Sequence, residues 1–234
     1  MFEDIARIEH PIFIWLNQFH TPVMDQVMYL YSNKLLWIPT TLLMLVLLIS
    51  KARNIRRALL VIIGLVLVIA LCDQLTSGIL KNMTERLRPT HHPSYFNIVT
   101  YCFDYTGGRY GFASSHATNA FGAAAFLSLS FKNRLYTSLI FTWAIITAYT
   151  RIYLGVHFIA DIIVGITIGL LIGNAIYKLM TYICLQYQKN QKITEVNYYI
   201  FDSPKPINYI SYGLLITNLM PLLFPQFLIS LLSK

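Results

Sequence analysis

Apolar positions in this chain fall into long runs, separated by short polar or basic connections. Runs of about 17–25 apolar residues can cross a bilayer as helices. Such runs occur at 35–50, 58–80, 115–131, 135–151 and 157–184. A sixth, 207–232, is interrupted by Asn208, Asn218, Pro221 and Pro225. Residues 2–33 differ, because Ile5, Ile8, Ile12, Ile14 and Leu16 are mixed with Glu3, Asp4, Arg7, Glu9 and His10. That mixture predicts an amphipathic helix on the membrane surface to about residue 19. A turn at Thr21-Pro22 follows, with Thr21 as cap and Pro22 as first residue of a second short helix. The pattern separates interfacial helices at 1–33 from a transmembrane unit at 34–234. The expected fold is all-α: a polytopic membrane helix bundle of about six transmembrane helices, with an N-terminal interfacial helix.

Composition agrees with a membrane protein. The chain has 234 residues, of which 56% are hydrophobic and 12% charged, against about 25% charged in a soluble domain. The formal net charge is +8. Lys51, Arg53, Arg56 and Arg57 lie between the first two runs, Lys132 and Arg134 between the third and fourth, and Lys189, Lys192 and Lys205 between the fifth and sixth. Alternate loops share a side, so these basic loops should be cytoplasmic. The charge is then a topological signal, and no nucleic-acid partner is expected. Loops 81–114 and 152–156 face out. The first holds Pro89, Pro93, Gly107, Gly108 and Gly111 with several aromatic residues. It reads either as a lid or binding loop over the bundle mouth, or as an interfacial aromatic belt. Residues 186–206 read as a polar cytoplasmic linker. Cys72, Cys102 and Cys184 suggest no disulfide framework and read as small buried hydrophobes.

Three polar clusters stand at the outer ends of the runs, where ionisable residues are costly and usually functional. The first is Lys81 with Arg88-Pro89. The two cations are seven residues apart and share a face if the helix continues, with Pro89 ending it. The second is Ala113-Ser114-Ser115-His116, where a serine cap opens the third run and leaves free N–H groups suited to an anion. The third is Thr150-Arg151, His157 and Asp161. The last two are four apart, on one face of the fifth helix. Asp161 can accept from one imidazole nitrogen and leave the other free for attack. No cluster of His, Cys or carboxylates with metal-ligand spacing is visible, so no metal and no cofactor are expected.

Taken together, these clusters resemble the type 2 phosphatidic acid phosphatase family, which includes the vanadate haloperoxidases. The family's pattern is K-x6-R-P, then P-S-G-H, then S-R-x5-H-x3-D. Here Lys81, Arg88 and Pro89 match the first, and Arg151, His157 and Asp161 the third, with Thr150 for Ser. Ser114 and His116 match the second, with Ala113 for Pro and Ser115 for Gly. The resemblance implies that His157 attacks phosphorus, Asp161 orients it, and His116 protonates the leaving oxygen and then activates water. It implies that Lys81, Arg88, Arg151, Ser114 and Ser115 hold the phosphate. The implied substrate is a phosphorylated membrane lipid: undecaprenyl diphosphate, a lipid A phosphate, phosphatidylglycerophosphate or phosphatidate. The implied place is a bacterial inner membrane, with the site facing the periplasm or outside. A membrane phosphotransferase or a non-enzymatic lipid-phosphate binding or transport protein would carry the same clusters.

Overall fold

The computed structural model describes residues 2–190, 200–201 and 203–232. Among the described residues the chain is built of helices, with two isolated antiparallel bridges, Ala52 with Phe201 and Leu87 with Tyr110. Helix α1 is Phe2–Asn17, α2 Pro22–Ser32, α3 Ile38–Lys51 and α4 Ile55–Asp73. A π-helical stretch, Gln74–Leu80, carries α4 into α5, Lys81–Thr84. After the long loop come α6 Ser115–Phe131, α7 Arg134–Tyr153, α8 Ile159–Asn190, α9 Lys205–Leu223 and α10 Pro225–Leu232. Most of the linker expected at 186–206 is different or undescribed. Helix α8 runs to Asn190, and residues 191–199 and 202 lie outside the described residues.

Among the described residues three stretches are long and apolar enough to cross a membrane: Lys34–Lys51, Ile55–Thr84 and Ile159–Lys189. Helices α9 and α10 make a fourth if counted as one span, but the chain bends by 98° between them. The sixth apolar run is thus two helices. The break falls at Phe224, and Pro225 begins the new helix, where its missing N–H costs nothing. Helix α6 has 17 residues and is the hub, packed on α8, α7 and α4. It can be the hub because it is rich in small residues, with Ala117, Ala120, Gly122, Ala123, Ala124 and Ala125 all buried. Gly165, Gly169 and Gly173 of α8 meet it backbone to backbone. A Cβ at Gly169 would stand 2.4 Å from the Thr118 carbonyl oxygen. Small residues every fourth position are how membrane helices approach closely.

The basic connections gather at one end of this bundle. Arg53 N donates to Ile200 O at 2.9 Å, and Arg57, Lys132, Gln188 and Ile200 line a common cleft. At the other end α1 and α2 close over the chain. Thr21 caps α2 by accepting from Met24 N at 3.2 Å, and Pro22 opens the helix, as expected. Helix α1 leaves an apolar face outside the bundle and packs a mixed face, including Phe13, against it. Ile8, Ile12 and Trp15 are exposed, whereas Glu9 and Asn17 face inward and are buried. The Asn17 side chain accepts from Thr100 N and donates to the Thr100, Ile152 and Tyr153 carbonyls at 2.9–3.1 Å. It ties α1 to the long loop and to the end of α7. The loop's aromatics are divided: Tyr95 packs on Phe13 and Phe158, while Phe96 and Phe103 are half exposed.

Candidate active site

His157 is held before α8 begins. The helix starts at Ile159, so His157 and Asp161 do not share a helical face as their spacing suggests. Asp161 lies in the first turn and reaches back, its Oδ2 accepting from Phe158 N at 3.1 Å. This is the reach of a capping-box residue, which satisfies an N–H left over at a helix start. The same oxygen lies 3.3 Å from His157 Nδ1. The other ring nitrogen, Nε2, lies 3.2 Å from Arg88 Nη1. An arginine can only donate, so Nε2 accepts, and the ring is neutral with its proton on Nδ1. His157 is 1% exposed, and its pKa is held well below the ordinary value of 6.5. Burial is the main cause, followed by Arg88, Arg151, Lys81 and His116.

The cations reach the cavity by different routes. Lys81 ends the π-helical stretch. The helix then stops at Thr84, because Glu85 is left-handed at φ 47°. Pro89 therefore does not end it, and Lys81 and Arg88 do not share a helix face. Arg88 instead sits on a short ladder in which its N donates to Arg109 O at 3.1 Å, and Gly111 N donates to Arg86 O at 2.8 Å. Its side chain donates to the Tyr110 and Val156 carbonyls, each at 3.1 Å. Burial, then the charge of Arg151, lowers Arg88 to about 10, so it stays charged at neutral pH. Arg151, in the last turn of α7, is 1% exposed. It donates to Ser32 Oγ and, at 2.9 Å, to Tyr105 Oη. Burial would raise the Tyr105 phenol. Arg151, with Arg88 and Lys34, outweighs that and lowers it.

One cavity of about 320 Å³ brings together Lys81, Arg88, Ser115, His116, Arg151 and His157. Lys34, Ser32 and Tyr31 also line it, so the N-terminal helices build part of the wall. Four cations against one acid, Asp73, give it a positive lining, which suits a multiply charged anion. Ser114 and Asp161 stand behind the cavity, each fully buried. Ser114 Oγ accepts from Ala117 N at 3.4 Å as the α6 cap, and Ser114 N donates to Asp161 O at 3.0 Å. Thr150 Oγ1 donates to Thr147 O within its own helix. Ser115 Oγ accepts from Lys81 Nζ at 2.9 Å and from Thr76 Oγ1 at 3.0 Å, and touches Ser77 Oγ at 2.8 Å. The serine at the family's glycine position thus fastens Lys81 and the π-helical turn to the start of α6. His116, in the first turn of α6, makes no side-chain hydrogen bond among the described residues.

Sequence reasoning missed the support behind His157. Arg86 Nη1 donates to Asp161 Oδ1 at 2.7 Å, and its Nη2 to Glu9 Oε1. Glu9 Oε2 accepts from Ala160 N at 2.7 Å. All three side chains are at most 8% exposed. The only signal was a glutamate amid the apolar residues of α1. Gly111 was missed as well: a Cβ there would stand 2.9 Å from Asp161 Oδ2 and 3.6 Å from His157 Nδ1. The structure also gathers a potential ligand cluster that the sequence did not suggest. His20, Asp25 and Cys102 place ligand atoms within 4.8 Å of one another. They lie outside the cavity lining. His20 Nδ1 is 2.7 Å from Asp25 Oδ1, which also accepts from Tyr153 Oη at 2.7 Å. Asp25 thus ties α2 to the end of α7 through Tyr153, and burial, then Asp25, raises the Cys102 thiol to about 12.

Known proteins share this fold. The fold resembles the crystal structure of Aquifex aeolicus LpxE, with a TM-score of 0.54 and 23% identity over 72% of this chain and 93% of the other. It also resembles a PAP2-type phosphatidylglycerolphosphate phosphatase from Bacillus subtilis, with a TM-score of 0.58 and 20% identity over 83% and 90%. Over 180 residues the chain is 39% identical to the lipid A 4'-phosphatase of Porphyromonas gingivalis, covering 77% of this chain and 76% of the relative. It is 32% identical to that of Bacteroides thetaiotaomicron, over 72% and 75%. It is 30% identical to an undecaprenyl-diphosphatase of Sulfolobus acidocaldarius, over 59% and 61%. Residues 58–184, which hold all three motifs, match the PAP2 superfamily, and on these grounds the chain belongs to that superfamily and is a membrane lipid phosphatase.

Proposed function

We propose that this phosphatase removes a phosphate from the head group of a lipid A-type glycolipid, through a phosphohistidine at His157. The observation that carries the mechanism is the state of the His157 ring. Its Nε2 is unprotonated beside Arg88 in a cavity lined by Lys81 and Arg151, while Nδ1–H is turned to Asp161. In the first step Arg88 releases Nε2 and turns to the phosphate oxygens, Nε2 forms a bond to phosphorus as the ester P–O bond breaks, and protonated His116 gives its proton to the leaving oxygen. In the second, His116 takes a proton from water, whose oxygen attacks phosphorus and breaks the P–N bond. Lys81, Arg88 and Arg151 balance the charge on the transferring group. The Ser115 hydroxyl fixes Lys81, and Ser114 holds the first turn of α6 in place. Neither step uses a metal. The glycolipid is supported by the identity to the two lipid A 4'-phosphatases over three quarters of their length.

We further propose that α6 and α7 also cross the membrane, giving six spans, and that the cavity faces the periplasm of a bacterial inner membrane. The clustering of basic residues at the opposite end supports this orientation. Gly108 is exposed and a Cβ there meets nothing within 4 Å. Gly108→Cys should therefore react with a membrane-impermeant thiol reagent in intact spheroplasts, and protection there would reverse the orientation. The activity is tested by phosphate release in detergent from a lipid A phosphate, undecaprenyl diphosphate and phosphatidylglycerophosphate, with His157→Ala as blank. Release from the glycolipid should be fastest, absent in the blank and insensitive to EDTA. Release that survives His157→Ala would end the phosphohistidine proposal. Loss in EDTA restored by a divalent ion would end the metal-free one.

A further inference from the structure

The cavity extends beyond the phosphate-binding cluster, along the inner faces of α6 and α7. Thr147 and Trp143 lie one and two turns below Arg151 on α7, and Asn119 lies one turn below His116 on α6; all of them line the cavity. At a rise of 1.5 Å per residue, Thr147 is about 6 Å and Trp143 about 12 Å along the helix from Arg151. Each carries a buried polar atom with no hydrogen-bond partner among the described residues: Asn119 Oδ1, Trp143 Nε1, Thr147 Oγ1, and Arg151 Nε above them. Thr147 is itself 7% exposed. Leaving buried polar groups unpaired is costly, and native structures rarely tolerate it without a use. Here four such groups line one wall of one cavity.

We infer that Asn119, Trp143 and Thr147 form a recognition subsite for the neutral polar groups of the substrate, next to the phosphate. Their chemistry selects the class of group. Trp143 can only donate, Thr147 can donate and accept, and the Asn119 amide offers an acceptor and donors. None is ionised, so the set does not match a second phosphate. It matches the hydroxyl groups and acyl amide of an amino sugar. The Trp143 ring, edge to face with Trp37 at 5.6 Å, adds an apolar surface beside those groups. A polyprenyl chain offers nothing to pair with these atoms. This subsite deepens the glycolipid reading and rests on it.

The test compares two substrates in one enzyme preparation, so loss of folded protein cancels. Phosphate release is followed from a monophosphorylated, acylated glucosamine disaccharide and from undecaprenyl diphosphate. The measured quantity is the ratio of the two kcat/KM values, glycolipid over polyprenyl. Thr147→Val and Trp143→Phe should each lower it by about 10-fold, the usual effect of one buried hydrogen bond. Thr147→Ser, which keeps the hydroxyl, should preserve it. An unchanged ratio in both variants, with a wild type that prefers the glycolipid, overturns the subsite alone. A wild type that turns over only the polyprenyl substrate overturns the subsite together with the glycolipid reading.

Discussion

The two walls of the cavity are built on opposite principles. On the α8 side every polar group near His157 is engaged: both ring nitrogens, Asp161, Arg86 and Glu9 form one chain of hydrogen bonds. On the α6–α7 side His116 has no side-chain partner among the described residues, and Asn119, Trp143 and Thr147 hold unpaired atoms. The first wall is finished before any ligand arrives. The second is completed by the ligand. A nucleophile must be held within a few tenths of an ångström, which requires locked neighbours. A binding surface must exchange its partners for the substrate's, so it is left open.

Mutations should divide along these walls. The largest effect is expected at His157. His157→Ala should lower phosphate release at least about 10⁴-fold, as removal of a nucleophile does, and His116→Ala about 10²–10⁴-fold, as loss of an acid–base group does. Near-normal turnover in either purified variant would erase the contrast in roles. Arg86→Met should next cost about 3–5 kcal/mol of stability, because Glu9 and Asp161 are left as buried like charges. Adding Glu9→Gln should return part of that loss, which equilibrium unfolding in a double-mutant cycle would measure. If the two losses simply add, the ion-pair chain is not a unit.

A smaller effect should appear in pH dependence. Folded His157 is neutral well below 6.5, while the unfolded chain takes up a proton near that value. Stability from this group is complete above 6.5 and is lost as the pH falls below it. His157→Gln should flatten the unfolding free energy across that range, and an equally steep profile in the variant would deny His157 its buried neutral state. The smallest effect is expected for Ser115→Gly. Lys81 would lose one partner but keep Ser77 Oγ at 3.3 Å. A loss of about 1 kcal/mol, or roughly 5-fold in KM, is expected. A much larger loss would make Ser115 part of the phosphate cradle itself, and none would make it replaceable.

The candidate residues were legible because burying charge beside a membrane core is expensive, so Lys81, Arg88, Arg151 and Asp161 stood out against apolar runs. The helices α3, α4, α6 and α7 were legible to within a few residues for the same reason. The missed features depend on a few dihedral angles or on distant partners. Glu85 ends α5 in the left-handed region, and nothing in its neighbours announces it. Asp161 meets His157 by reaching back to the helix start, which a four-residue spacing cannot distinguish from a shared face. Glu9 looked like the polar side of a surface helix, because its partners Arg86 and Ala160 are far away in sequence.

The amino-acid order by itself determined that this protein is a helical membrane bundle with ionisable residues gathered at the ends of its apolar runs. Hydropathy is summed over many residues, and ionisable groups are rare enough in apolar surroundings to be conspicuous. Tertiary structure alone decided which residues share the cavity and which stand behind it. Ser114 turned inward to cap α6, Ser115 outward to hold Lys81, and Glu9 crossed from α1 to support Asp161. Those choices arise where separate helices meet. Each buried polar group must find a partner across the packing interface, and no local pattern along the chain records which partner that is.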